Sequence, residues 1–180
     1  MDLFEAVSTR RSYRGPFRYQ QVPDRDLERI VQAGLDAPSA KNSQTTEFII
    51  VTDQAIIQKI GALPEALKAM QTAPAMIVCV TDLQPSTVST KETYEIENCA
   101  AAVENMLLAL NALGYGSVWL DTWLRSKDIG PVVNELLKLP SYKTARVILP
   151  VGIPADSPDQ PSKKPFESRV SYNTYGANAG

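Results

Sequence analysis

Residues 94–113 read Tyr94-Glu95-Ile96-Glu97-Asn98-Cys99-Ala100-Ala101-Ala102-Val103-Glu104-Asn105-Met106-Leu107-Leu108-Ala109-Leu110-Asn111-Ala112-Leu113. Polar side chains fall at Glu97, Asn98, Glu104, Asn105 and Asn111, a seven-residue repeat, and nearly everything else is apolar or small. The spacing predicts one helix with a narrow polar stripe and an apolar face that wraps most of its circumference. Such a helix is buried on nearly all sides. A central core helix of a monomer satisfies this, and so does a helix at the heart of a dimer, where the alanines permit close packing. The residues leave both open.

Outward from this helix, Gly114 is expected in the left-handed C-cap conformation. Ser117–Asp121 reads as a strand, as do Phe48–Val51, Ala75–Thr81 and Ala145–Val151, where β-branched residues cluster. Asp2 and Glu5 form a capping box for a short first helix. A second helix, capped by Asp24, carries Leu27, Ile30, Val31 and Leu35 until Pro38 stops it. Residues 55–61 and 64–71 read as helices, the latter opened by Pro64. A last helix opens at Ser126 and Asp128. Beyond Pro154, prolines, charges and tyrosines replace periodicity.

The 180 residues suit one domain, and 44% hydrophobic with 21% charged residues is globular composition, which excludes disorder. Eighteen basic against twenty acidic residues give a net charge of −2, which argues against nucleic acid as a partner. The chain contains no histidine, which excludes a Ser-His-Asp triad and every His-ligated metal or haem site. No metal site is expected. Cys79 and Cys99 lack CxxC spacing and read as reduced, buried thiols. Neither a signal pattern nor a membrane span is read, so a cytoplasmic protein is expected.

Four stretches could carry chemistry. Ser8-Thr9-Arg10-Arg11-Ser12-Tyr13-Arg14 places three guanidiniums and neutral hydroxyl donors in one turn, which suits a phosphate; on spacing alone a solvated basic turn explains it somewhat better, because short basic clusters are common. Ala37-Pro38-Ser39-Ala40-Lys41-Asn42-Ser43-Gln44 offers donors and acceptors for a polar ring edge, or merely stops a helix. Leu113-Gly114-Tyr115-Gly116-Ser117-Val118-Trp119-Leu120-Asp121-Thr122 runs helix to strand, the reverse of a dinucleotide fingerprint, and leaves the polar Asp121-Thr122 unexplained. Leu149-Pro150-Val151-Gly152-Ile153-Pro154, then Lys163-Lys164, could bring backbone and charge to a ligand or could be a plain strand exit.

In this order and with these separations, the four stretches resemble the nitroreductase family of FMN-dependent, NAD(P)H-using oxidoreductases. The resemblance spans residues 2–165 and rests on Arg10-Arg11-Ser12-Tyr13-Arg14, on Ala37-Pro38-Ser39 with Asn42 and Gln44, on Leu113–Trp119 and on Val151-Gly152-Ile153-Pro154. It implies an α+β fold, a three-layer sandwich whose mostly antiparallel central sheet is flanked by helices. It also implies an intertwined homodimer with FMN at the subunit interface. Residues 1–180 would form a single domain, with 155–180 an extended C-terminal arm reaching the partner subunit.

The resemblance further implies that the turn of Arg10, Arg11, Ser12 and Arg14 binds FMN, with Arg10, Ser12 and Arg14 at its phosphate and flavin edge and Lys163 or Lys164 as added phosphate contacts. Pro38, Ser39 and Asn42 would come from the other subunit. Asp121 and Thr122 would lie near flavin N5, and Gly152 would complete the site. Two departures stand out: Gln44 is followed by Thr45-Thr46 where many relatives have Pro-Trp, and the longer insertions that cover the flavin are missing.

The implied reaction is ping-pong hydride transfer from NADH or NADPH through flavin N5 to a small nitroaromatic or quinone-type acceptor. The cofactor carries the chemistry, so no side chain need be catalytic. Flavin fragmentation or reductive dehalogenation are alternatives within the family. A non-catalytic binding module is an alternative outside it, and a flavodoxin-like carrier lacks its Ser/Thr-rich phosphate loop.

Overall fold

In a computed structural model that describes residues 1–84, 93–126, 128–157 and 161–176, the apolar run from Ala75 becomes the middle strand of an antiparallel sheet. The strands are β1 (Glu47–Val51), β2 (Ala75–Asp82) and β3 (Lys143–Val151), in the order β1-β2-β3. Ile49 lies opposite Val78, and Ile77 opposite Leu149. Every residue of β2 except Asp82 is buried, so helices must cover both faces of the sheet.

Alternation along β2 decides which helices do so. Met76, Val78 and Val80 pack with Ile57, Ile60, Met70 and Val133, which come from α3 (Gln54–Gly61), α4 (Lys68–Thr72) and α6 (Gly130–Leu136). Ala75, Ile77 and Cys79 point the other way, onto Leu27 and Ile30 of α2 (Asp24–Leu35) and Val103, Met106 and Leu110 of α5 (Glu95–Ala112). Ile30 and Ile60 are fully buried, and each such side chain contributes about 1.5–3 kcal/mol. The short helix α1 (Leu3–Thr9) lies on α5. The fold is therefore the expected α+β sandwich of three layers. Cys79 on β2 and Cys99 on α5 are buried free thiols between the sheet and the α2–α5 layer.

Several local expectations hold. Asp2 accepts the Glu5 N–H at 2.9 Å at the start of α1. Gly114 has φ +83°, and the Tyr115 N–H returns to the Leu110 carbonyl at 2.9 Å, closing α5 with a left-handed cap.

Others are corrected by tertiary contacts. Pro23, not Asp24, caps α2: its carbonyl accepts from Asp26 N and Leu27 N, and Asp24 enters the first turn, where a carboxylate meets the positive helix end. The helix expected from Pro64 begins only at Lys68. Trp123 donates to the Pro64 carbonyl (2.9 Å) and Gln71 to the Ala66 carbonyl (3.1 Å), and Glu65 takes φ +59°. Ser117–Asp121 is no ladder strand; it touches neighbours through single bridges at Ser117 and Leu120. The last helix starts at Gly130, not at Ser126 or Asp128: the Ile129 N–H closes a turn on the Ser126 carbonyl first (3.3 Å), and a Cβ at Gly130 would sit 2.6 Å from the Leu124 carbonyl oxygen.

The helix that opened the sequence reading is not wrapped within its own chain. Ile96 is 63% exposed, and Glu97, Glu104 and Ala112 are exposed with it. In α1, Leu3, Phe4 and Val7 are exposed as well. Residues 161–176 are exposed apart from half-buried Val170 and contain one short 3-10 turn, Phe166–Ser168. Residues 158–160 and 177–180 of the expected arm lie outside the described residues. Among the described residues, no helix is long and apolar enough to cross a membrane.

One cross-link titrates. The Tyr115 hydroxyl, beyond the end of α5, donates to Asp26 Oδ2 on α2 at 2.7 Å. Burial, and then the Asp26 carboxylate, push the phenol up to about 12. An unfolded tyrosine titrates near 10, so the contribution is fully present below about pH 10 and is lost as pH rises through about 12. Urea unfolding of Tyr115→Phe is expected to show a flatter stability profile across that window. An unchanged alkaline loss would assign the drop to other groups.

Candidate functional site

The basic turn leaves the end of α1 and is fastened at once. The Arg10 N–H caps the helix at the Ala6 carbonyl (3.1 Å), and Asn111 on α5 donates to the Ala6 carbonyl (2.9 Å) and Thr9 Oγ1 (2.8 Å). Ser12 forms a parallel bridge with Ser117, and the Tyr13 N–H donates to the Ser117 carbonyl at 2.7 Å. The Arg14 carbonyl accepts from Ala69 N at 3.2 Å, which sets Lys68, at the start of α4, beside the turn.

Tyr13 is the internal post of this turn. Its hydroxyl meets the Pro16 carbonyl and Asp156 Oδ1 (2.8 Å), and it accepts from the Ala155 N–H at 3.1 Å. Burial and then Asp156 raise its pKa, so it stays a neutral donor. The exit after β3 thus lies against the turn, where Gly116 bridges Gly152 and Phe17 bridges Pro154. The space beside Gly152 is filled by the Phe17 ring.

The side chains of the turn differ in what they reach. Arg10 Nε lies 3.3 Å from Glu104 Oε1. Arg11 Nη1 turns back to the Thr9 carbonyl at 3.2 Å. Arg14 is exposed. Ser117 Oγ, directly behind the Ser12 bridge, is buried and has no protein hydrogen-bond partner.

From Ser117 the chain runs into a cleft of about 220 Å³ lined by Leu67, Met70, Trp119, Leu120, Asp121 and Thr122, with Glu65 and Trp123 beside them. Two indoles, a thioether and leucines suit a flat, apolar ring. Asp121 is the polar end. It accepts from Thr122 Oγ1 (3.1 Å) and pairs with Arg125 (3.3 Å) and Arg146 (4.0 Å). Arg146 reaches it because of a bulge: Cys79 pairs with Val147 and Val80 with Ala145, which leaves Arg146 as the extra residue of β3.

The second group, Pro38, Ser39 and Asn42, lies elsewhere. Pro38 and Ser39 line a separate, open cavity of about 510 Å³ together with residues of α2, β1 and α5. Lys41, Asn42 and Gln44 all take positive φ, a costly conformation for non-glycine residues. Buried Asn98 holds the loop there, accepting from Ala40 N (2.9 Å) and donating to Ser43 Oγ (3.1 Å) and Thr45 Oγ1 (3.0 Å). Asn98 and Glu104, the anchors of the two groups, are six residues apart on α5, a rotation of about 240°. They therefore leave the helix on different sides.

The structure thus brings together Arg10, Ser12, Arg14, Gly152 and the Ser117–Thr122 segment, and sets the 38–42 loop apart. Lys163 and Lys164 are exposed. Three residues escaped sequence reading. Glu104 had a signal, as a charge on a mostly apolar helix; Arg146 had one too, as a charge inside a hydrophobic strand. Lys68 had none.

Comparison with known proteins agrees with this geometry. A model described as "Nitroreductase family" matches residues 7–76 and 63–153. An Archaeoglobus fulgidus protein named "Putative NADH dehydrogenase/NAD(P)H nitroreductase" is 34% identical over 88% of each chain. A crystal structure of the same name from Bacteroides thetaiotaomicron superposes with a TM-score of 0.80 at 30% identity, covering 96% of this chain and 98% of that one. A Bacillus subtilis protein named "FMN reductase [NAD(P)H]" is 25% identical over 97% of this chain and 74% of its own.

Proposed function

The chain belongs to the nitroreductase family, and on that premise we propose that it is an FMN-dependent oxidoreductase that uses NADH or NADPH to reduce a small nitroaromatic or quinone-type acceptor by a ping-pong mechanism. One observation carries the reading: a turn bearing Arg10, Ser12 and Arg14 is bridged, at a buried hydroxyl lacking a protein partner, to the segment that lines an aromatic cleft. Cation, donor and flat wall follow one another in the order in which phosphate, chain and ring follow one another in FMN.

When bound, FMN supplies hydride exchange at N5. The protein's part is binding, orientation and exclusion of water. Arg10 and Arg14 grip the phosphate, Ser12 adds a neutral donor, and Lys163 or Lys164 adds charge. Leu67, Met70 and Trp119 wall the ring side of the cleft. Asp121 and Thr122 would lie near N5, with the Thr122 N–H as a donor there, and Arg125 and Arg146 pair with the Asp121 carboxylate. Gly152 supports the turn through the Phe17 ring.

Pro38, Ser39 and Asn42 complete the site of a second subunit, in a homodimer formed through the exposed faces of α1 and α5 and embraced by the C-terminal arm. The exposure of Phe4, Val7 and Ile96 supports that interface.

The test is a visible spectrum of the purified protein, repeated after FMN and then NADH are added without oxygen. Flavin bands that bleach with NADH are expected. A colourless protein that takes up no FMN would end the cofactor assignment.

A further inference from the structure

We infer that Glu104 is a positioning residue, whose carboxylate holds Arg10 in the orientation that receives the FMN phosphate; the inference rests on the FMN reading above. The 3.3 Å contact is made to Arg10 Nε, at the base of the guanidinium. The terminal nitrogens, the fork that grips an anion bidentately, point away from that base. Glu104 therefore occupies the end of the group that phosphate does not need.

The rest of the same stripe supports this role. Asn111 follows Glu104 by seven residues, two turns along one side of α5, and it holds the last turn of α1 through the Ala6 carbonyl and Thr9 Oγ1. The Arg10 backbone is tied to that same Ala6 carbonyl. One helix face thus sets both the backbone and the side chain of Arg10. A mobile arginine loses rotamer freedom when it grips an anion, whereas one already held loses less.

The opposing possibility is electrostatic. Glu104 is half-exposed, and its charge could simply weaken the positive potential of the turn. The two roles predict opposite signs. Flavin fluorescence is followed while FMN, or riboflavin as the phosphate-free probe, is titrated into the flavin-free full chain.

Glu104→Ala is expected to weaken FMN binding about fivefold and to leave riboflavin binding unchanged. Glu104→Gln, which keeps the side-chain length and an oxygen beside Nε, is expected to stay within about twofold of the natural protein. Because Glu104→Gln is nearly isosteric, it reads the site even where Glu104→Ala disturbs the fold. FMN bound by Glu104→Ala as tightly as by the natural protein, or more tightly, overturns the inference and makes Glu104 a counter-charge. Failure of the natural protein itself to bind FMN overturns the cofactor reading instead.

Discussion

Gly152→Ala is expected to cost about 3 kcal/mol of stability and to lower the melting temperature by about 6–12 °C. The added Cβ would lie 2.6 Å from Phe17 Cγ and 2.9 Å from Phe17 Cβ. Phe17 cannot swing aside freely, because it is buried and its ring packs tilted against Tyr13, with centroids 5.2 Å apart. Gly152 and Phe17 belong to the crossing where the basic turn meets the exit of β3, so strain there is transmitted to the site. The double variant Phe17→Ala with Gly152→Ala should be more stable than the sum of the two single losses, since the clash is then gone. A single-variant loss below about 1 kcal/mol would show that the ring yields.

Arg10→Ala is expected to raise the Kd for FMN at least tenfold, about 1.4 kcal/mol of binding, without unfolding the protein. Arg10 is the cation of the turn whose backbone and side chain are both pinned. Its removal leaves Glu104 unpaired, but within the subunit Glu104 is half-exposed and its charge is screened, so the fold of the subunit changes little in stability. Unchanged flavin titration would remove the phosphate assignment. A melting temperature that collapses with the affinity would make Arg10 structural.

Much of this was legible along the chain. Apolar periodicity located α5 to within a residue at each end, because a helix that buries a face must repeat its apolar residues at helical spacing. Gly114 announced its own φ, since few other residues tolerate it. The order of basic turn, polar loop, helix-to-strand passage and glycine exit carried the family. The misreadings share a cause. Pro64 is a good helix start by propensity, but Trp123, far along the chain, takes the Pro64 carbonyl. Val118, Trp119 and Leu120 look like a strand, but pairing needs a partner edge, and the segment finds only single bridges.

Local sequence by itself determined where most of the elements lie, because an apolar face repeats at the period of its element; the three layers were implied by the family resemblance. Local sequence also placed cations, hydroxyls and the Asp121-Thr122 pair in recognisable motifs. Only the tertiary structure decided who meets whom: Glu104 with Arg10, Asn98 with the 38–42 loop, Arg146 with Asp121 through a bulge, and Phe17 in the space that Gly152 leaves open. Hydrogen bonds and ion pairs are directional and short-ranged, so their partners are set when the layers close, and no periodicity in the chain records them in advance.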